Sequence, residues 1–426
     1  MTSKYHQIIT DIERDIQEHV LKQGQKLPSI RHLSQQYRCS KDTVQRALLE
    51  LKYRRLIYSV PKSGYYILGK VGDDHLQSTV SLKDYNNMAY EEFRLCLNEA
   101  LAGKEAYLFN YYHQGEGLED LLLSLLPHLA DHGIYTTQSQ LIVTAGTQQA
   151  LYILSQMPFP NGRKEVLLEK PTYHRMESLV SSLNIPFKTI GRGTQGLDFQ
   201  ELEQIFKTGS IKFFYTISRF SNPLGLSYNN KEKEKLIELA QQYGVYLLED
   251  DYLGDFAKSS EPPLHYYDTH HQVIYLKSFS MSVFPALRLG ALVLPEPLKD
   301  NFLHHKSMID LDTNLMMQKA LSLYLDNGMF QKNLKQIKQF FKKREDELKS
   351  DMQSLAPGLT YRLTPKELIV SLDSPYLVGR AMKLERSRLI TDSKEKYLSL
   401  DINSETASQL AKLYSNQDIK KTSPSI

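Results

Sequence analysis

The sequence predicts a two-part molecule: a small three-helix domain with a two-stranded wing, then a large α/β body on a mainly parallel sheet. Three observations predict it. Residues 1–68 hold three segments of helical period and a short strand pair. From about residue 90, short apolar strands alternate with helical stretches. Charge is split unevenly. Residues 1–68 carry twelve Lys and Arg against six Asp and Glu, so the rest is slightly acidic within a net charge of +3.

In the first domain, "YHQIITDIERDIQEHV" (5–20) spaces Ile8, Ile9, Ile12, Ile16 and Val20 as one helical face. Gly24 closes that region, and Ser29 after Pro28 offers a cap for "IRHLSQQY" (30–37). Ser40 is a natural N-cap for "KDTVQRALLELKYRR" (41–55), whose Val44, Leu48 and Leu51 face inward. "LIYSVPKSGYYIL" (56–68) alternates as two strands around "PKSG". This is a winged helix-turn-helix pattern, and its third helix suits the major groove of double-stranded DNA. Ser40 and Thr43 suit phosphate oxygens, with Arg31 and Lys62 bracketing the backbone. A small domain whose basic residues are merely solvated is the alternative.

Residues 69–88 read as a linker: Gly, Asp, Ser and Asn with weak periodicity. In the body, "QLIVTAG" (140–146), "EVLLEK" (165–170), "IKFFYTI" (211–217), "GVYLLED" (244–250) and "VIYLKSFS" (273–280) read as strands. "NNKEKEKLIELAQQY" (229–243) is a helix between two of them, and "GMFQKNLKQIKQFFKKREDELKSDMQSL" (328–355) is a long charged helix. Buried strands joined by helical crossovers imply a parallel sheet, and such sheets bind ligands at the carboxyl ends of their strands. Unusual residues gather there. After "TAG", the N–H groups of Gly146, Thr147 and Gln148 can cradle a phosphate. Tyr173 follows a proline, and Asn222 sits on a proline-turned loop. "EDDY" ends a buried strand with Glu249, Asp250, Asp251 and Tyr252, acids that are costly to bury unless paired. "SFSMSVFPALRLG" (278–290) supplies Ser278, Ser280, Met281 and Arg288.

Of 426 residues, 41% are hydrophobic and 24% charged, an ordinary globular balance. Cys39 and Cys96 form neither a disulfide framework nor a zinc spacing, so no metal site is expected. The first residues lack the apolar core of a signal peptide and no run is long enough to cross a bilayer. A cytoplasmic protein with no membrane partner is the expectation.

The motifs "KLPSIRHLS", "CSKDTVQRALLEL" and "SGYYI" resemble the GntR superfamily of bacterial repressors over about the first 68 residues. The resemblance implies DNA contacts at Arg31, Ser40, Lys41, Thr43, Gln45, Lys62, Ser63 and Gly64. Relatives often carry Arg where Gln45 stands; Gln suits adenine where Arg suits guanine. The order of strand-end motifs over about 90–415 resembles the fold type I, aminotransferase-like proteins that bind pyridoxal phosphate. Together the two parts look like the MocR group of transcription regulators, which implies a homodimer. The implied domains are 1–68 (winged helix), 69–88 (linker), 89–320 (large), 321–415 (small) and 416–426 (disordered tail). The implied roles are a phosphate cup at Gly146, Thr147, Ser278 and Arg288, an aromatic cover at Tyr173, a ring-nitrogen carboxylate at Asp250, and ring-hydroxyl donors at Asn222 and Tyr252.

The pattern breaks twice. The family form Ser-x-Ser-Lys reads Ser278-Phe279-Ser280-Met281, so the amine that bonds the cofactor's aldehyde and moves protons is absent. Methionine fills that slot with an apolar chain of similar length. Lys277 lies four residues earlier, where its side chain should leave from a different place. Near the C-terminus "YLSLDI" (397–402) puts Ser399 where relatives grip a carboxylate with arginine, and neither Ser399 nor Lys396 matches a bidentate guanidinium. No catalytic residue is therefore expected. The reading is a DNA-binding regulator whose body dimerises and senses a small anionic effector. That effector is pyridoxal phosphate, pyridoxamine phosphate or another anion, held non-covalently. The alternatives are an active pyridoxal-phosphate aminotransferase with an appended DNA-binding domain, and a ligand-free dimerisation module.

Overall fold

The computed structural model describes residues 4–18, 20–22, 24–54, 56–60, 63–68, 82–102, 108, 115–193, 196–355, 361–365, 367–372, 377–378, 381, 387–391, 396–402 and 406–413. The first domain has α1 (Lys4–Gln17), α2 (Ile30–Tyr37), α3 (Lys41–Tyr53) and a hairpin of β1 (Ile57–Val60) and β2 (Gly64–Ile67). Ser29 and Ser40 cap α2 and α3 as the sequence predicts: their hydroxyls accept from His32 N (3.2 Å) and Thr43 N (3.1 Å). Ile8, Ile9, Ile12, Ile16, Val44, Leu48 and Leu51 form its core. Val20 does not belong to that face. α1 ends at Gln17, and Val20 is 63% exposed.

α4 (Leu82–Ala102) begins inside the expected linker, so 82–88 are helical. Residues 69–81, Lys62 and the tail 416–426 lie outside the described residues. The large sheet has eight strands: β3 (Leu141–Thr144), β4 (Glu165–Lys170), β5 (Phe187–Gly193), β6 (Gly196–Leu197), β7 (Ile211–Thr216), β8 (Tyr246–Asp251), β9 (Val273–Ser278) and β10 (Gly290–Val293). Their order is β3-β10-β9-β8-β7-β4-β5-β6. β5, β4, β7, β8 and β9 run parallel, while β10 is antiparallel to both of its neighbours. One face packs against helices α6 (Thr147–Gln156), α7 (His174–Ser182) and α10 (Glu296–Ser307). The other packs against α5 (Glu119–Ala130), α8 (Phe199–Lys207), α9 (Asn230–Tyr243), α11 (Leu315–Asp326) and the start of α12 (Met329–Leu355). The expected domain boundary at 320 falls within α11; α12 leads on to a second, antiparallel sheet. That sheet is ordered β11 (Tyr361–Leu363), β12 (Glu367–Ser371), β14 (Lys396–Asp401), β13 (Ser387–Thr391). α13 (Thr406–Leu413) packs against α12 beside it.

The winged domain is seated on the body. Tyr58 and Leu68 belong to the same buried apolar cluster as Phe93, Cys96, Tyr324 and Phe330.

Candidate functional site

β8 delivers three acids in a row to the carboxyl edge of the large sheet. Side chains alternate between the faces of a strand, so Asp250 points one way and Glu249 and Asp251 the other. Glu249 accepts from Ser218 Oγ and from the N–H groups of Leu264 (2.7 Å) and His265 (3.0 Å). Burial, then Asp251, raises its pKa. Asp251 pairs with the Arg219 guanidinium and accepts from Tyr275 Oη (2.7 Å). Burial pushes Asp251 up, but Arg219 more than offsets it and holds the carboxyl low. Asp250 is different. Tyr215 Oη donates to its Oδ2 at 2.8 Å, while Oδ1 is buried with no partner. Burial is the main reason its pKa rises to about 7, with Asp251 adding to the rise and Tyr215 opposing it.

The other residues named from the sequence lie on the turns that follow the strands of this sheet. Gly146, at φ +79, precedes α6 and offers that helix no side-chain cap, leaving the first-turn N–H groups open. A Cβ there would lie 3.0 Å from Arg288 Nη2, so glycine lets the guanidinium lie over the start of the helix. Thr147 and Gln148 follow on the first turn, and Gln148 Nε2 is buried without a partner. Tyr173 precedes α7; burial and then Asp250 raise its phenol pKa, while Arg175 and Arg288 lower it. Tyr173, Asp250 and Arg288 thus share one electrostatic neighbourhood. Ser278, at the end of β9, is buried and its Oγ accepts from Ser280 N at 3.3 Å. Ser280 and Met281 are half-buried in the turn that follows. Asn222 is half-buried on a tightly tied loop: Arg192 Nη1 donates to Ile217 O (2.8 Å) and Arg362 Nη1 to Leu224 O (2.7 Å). Tyr252 Oη donates to Phe220 O at 3.1 Å, on the same loop.

Lys277 is not among them. Its strand register pairs it with Asp251, whereas Leu276 pairs with Asp250, so Lys277 leaves the opposite face of the sheet. There its ammonium pairs with buried Asp255. His128 and His132 Nε2 each lie 3.5 Å from the same Asp255 oxygen. Sequence reading missed this group, the one set among the described residues whose ligand atoms could hold a metal ion. The cation in it is Lys277 itself. Burial pushes Asp255 up, yet Lys277 leads the groups that bring it well below its ordinary value. Burial, then Lys277, lowers His132 to about 4, so that imidazole is neutral. Ser399, expected where relatives hold an arginine, is buried and donates to Glu367 Oε2 at 2.8 Å; Lys396 is exposed at the start of its strand.

On the first domain Arg31, Ser40, Lys41 and Gln45 are exposed and Thr43 is half-buried. The Ser40 hydroxyl is engaged in capping α3 and lies 2.9 Å from Thr43 Oγ1. Ser63 Oγ pairs with Tyr66 Oη at 2.6 Å, and Gly64 opens β2 at φ +131. A hollow of about 460 Å³ beside α3 is lined by Lys4, Tyr5, Cys39, Thr43 and Arg46. Lys4 and Arg46 add two cations to this surface that the motif reading passed over; Lys4 comes beside α3 only in the fold, where α1 meets it.

The Aminotransferase class I and II family matches residues 82–392. The bacterial regulatory proteins, gntR family, match residues 4–67. The uncharacterised HTH-type transcriptional regulator YcxD of Bacillus subtilis (strain 168) is 43% identical over 80% of this chain and 78% of its own length. The HTH-type transcriptional regulator NorG of Staphylococcus aureus (strain USA300) is 22% identical over 88% of this chain and 94% of its own. Among solved structures, the kynurenine aminotransferase of Pyrococcus horikoshii, in complex with PMP, shares the fold. Its TM-score is 0.67 and its identity 23%, covering 87% of this chain and 93% of that one. No helix among the described residues is long and apolar enough to cross a membrane. The chain belongs to the class I and II aminotransferase family, and its body is fused to a gntR-family helix-turn-helix domain.

Proposed function

We propose that this protein is a DNA-binding transcription regulator whose aminotransferase-like body dimerises and holds a small anionic ligand non-covalently, without transaminase activity. Asp250 carries the ligand half of the reading. It is buried and only half satisfied, Tyr173 feels both it and Arg288, and the turn that follows β9 on the same sheet edge carries Met281 in place of a lysine. Pyridoxal phosphate or pyridoxamine phosphate fits such residues. Gly146, Thr147, Ser278 and Arg288 would hold the phosphate, Tyr173 would cover the ring, Asp250 Oδ1 would meet the ring nitrogen, and Asn222 and Tyr252 would face the ring hydroxyl. When bound, such a group supplies an electron-withdrawing ring. Met281 supplies neither an amine for covalent attachment nor a base to carry a proton. Exposed Met308, Ile309 and Leu311 form an apolar run that pairing of two bodies would cover.

For the DNA half, the exposed faces of α2 and α3 bear Arg31, Lys41 and Gln45, and the hollow bears Lys4 and Arg46. Gln45 is the base-reading residue of this proposal, and the cations meet phosphates. The test has two arms. In gel-shift titrations on the chain's own promoter region, binding should weaken as salt rises. Binding no tighter than to random duplex removes the regulator reading. In calorimetry, pyridoxamine phosphate should give saturable heat. Borohydride with pyridoxal phosphate should leave the wild-type pocket unlabelled and label residue 281 in Met281→Lys. A pyridoxyl group fixed to the wild-type pocket would overturn the non-covalent reading.

A further inference from the structure

Two pairs of neighbouring residues on the body each send one side chain to the loop that carries Met281 and the other to the seat of the DNA-binding domain. On α12, Asn333 Nδ2 donates to Ser282 O at 2.9 Å, one residue beyond Met281. The adjacent Lys332 donates to Leu68 O, at the base of the wing, at 2.6 Å. On α4, Phe93 packs edge-on against Phe284 of the same loop, with ring centroids 5.1 Å apart at 89°. The adjacent Glu92 takes the other contact of Lys332, also at 2.6 Å. Lys332, Asn333, Glu92 and Phe93 are all 4% exposed or less, so these links run through packed interior rather than solvent.

We infer that Asn333 and Lys332 are positioning residues through which the Met281 loop sets the stance of the DNA-binding domain. The inference rests on the regulator reading and names how its pocket reaches DNA. A ligand seated on Ser278 and Arg288 bears on the two ends of one short loop. The Ser282 carbonyl and the Phe284 ring, between those ends, are its fixed points on α12 and α4. A shift of the loop therefore loads Asn333 and Phe93. Their neighbours Lys332 and Glu92 form one buried ion pair, and Lys332 holds the last carbonyl of the winged domain. A packed interior does not absorb a displacement of one wall gradually, so the load is passed on to the seat. This is a contiguous physical contact between two sites, and coupling between them is a measurable quantity.

Hydrogen exchange on the full chain without ligand tests the link directly. Asn333→Ala should speed exchange several-fold in two places: the loop 278–284, which loses its anchor, and the wing base 56–68, which Asn333 does not touch. Faster exchange in the loop alone overturns the inference. The double variant Glu92→Leu with Lys332→Met removes both charges together and so leaves no buried charge unpaired. It should loosen the wing base while leaving the loop at the wild-type rate or faster; an unchanged wing base again overturns the inference. A second readout uses pyridoxamine phosphate. The ratio of DNA affinities with and without it should differ from one by on the order of 5-fold in the wild type. It should fall toward one in Asn333→Ala with each separate affinity retained. A ratio that stays at the wild-type value overturns the inference. Absence of pyridoxamine phosphate binding defeats the ligand reading alone, since the exchange experiment decides the link without it.

Discussion

Asp250 and Asp251 are neighbours on one strand, and the two faces of the sheet treat them differently. On the face of Asp251 each buried acid is closed: Asp251 by Arg219 and Tyr275, Glu249 by Ser218 and two backbone N–H groups, Asp255 by Lys277. On the face of Asp250 a carboxylate oxygen and the Gln148 amide are buried without partners. Unmade hydrogen bonds of this kind are costly, and a fold that gives each of the three acids on one face a partner for its charge has the means to do the same for Asp250. On the function proposed above, the closed face is structural and the open one is the place for a ligand. It also accounts for the displaced lysine. The ammonium at the end of β9 serves the closed face, and the position that would serve the open one holds Met281.

Breaking the closed face should have the largest effect. Lys277→Met leaves Asp255 buried without its cation, a loss of about 3–5 kcal/mol in chemical denaturation. His132 loses the positive neighbour that helps hold its pKa near 4, so it should protonate more readily and partly replace the missing charge. The deficit is therefore expected to be smaller at pH 5 than at pH 8. Affinity for pyridoxamine phosphate should be little changed, because Lys277 faces away from the pocket; a collapse of ligand affinity in a folded variant would erase the contrast between the faces.

Asp250→Asn should act in the opposite sense. The folded-state pKa of Asp250, about 7, lies above its ordinary 3.8. Below pH 4 folded and unfolded chains both hold the proton. Between 4 and 7 the unfolded chain gives it up while the folded one keeps it, so Asp250 weakens the ligand-free protein as pH rises. Asparagine does not titrate. The variant's advantage should be absent near pH 4, open through this window and level off above 7, at roughly 4 kcal/mol. In the same variant pyridoxamine phosphate should bind at least tenfold more weakly, through loss of a charge-assisted hydrogen bond. Greater stability without loss of ligand affinity would make Asp250 a buried acid with no ligand to meet.

Much of this contrast was legible in the sequence, and the illegible part has a definite cause. Strand ends were visible because five short apolar runs each stop at a polar turn, and the caps because Ser29 and Ser40 stand just before helical periods. The three acids stood out because carboxylates at the end of a buried strand demand partners, and the resemblance to the aminotransferase-like proteins singled out Asp250 among them. The partners themselves could not. Tyr215 lies 35 residues from Asp250, and Asn333 and Lys332 reach across 51 and 264 residues. Nothing in the periodicity of one element records which side chain of another will face it. The antiparallel β10 was missed because its apolar run continues past the turn that follows β9, and the start of α4 because its polar residues read as linker.

The smallest predicted effect tests the open face without touching its charge. Gln148 sits on the first turn of α6 beside the proposed phosphate cup, and its Nε2 is buried with no acceptor. Leucine has nearly the same shape, favours helix and brings no donor to satisfy. Gln148→Leu should stabilise the ligand-free protein by about 1 kcal/mol, read as a shift of the denaturation midpoint with unchanged slope. If the amide is held unpaired to meet an anion, inorganic phosphate and pyridoxamine phosphate should both bind several-fold more weakly, while pyridoxamine, which lacks the phosphate, should respond little. A gain in stability with equal phosphate affinity would move Gln148 from the ligand's account to that of the packing around α6, and would leave the proposed ligand site resting on Asp250.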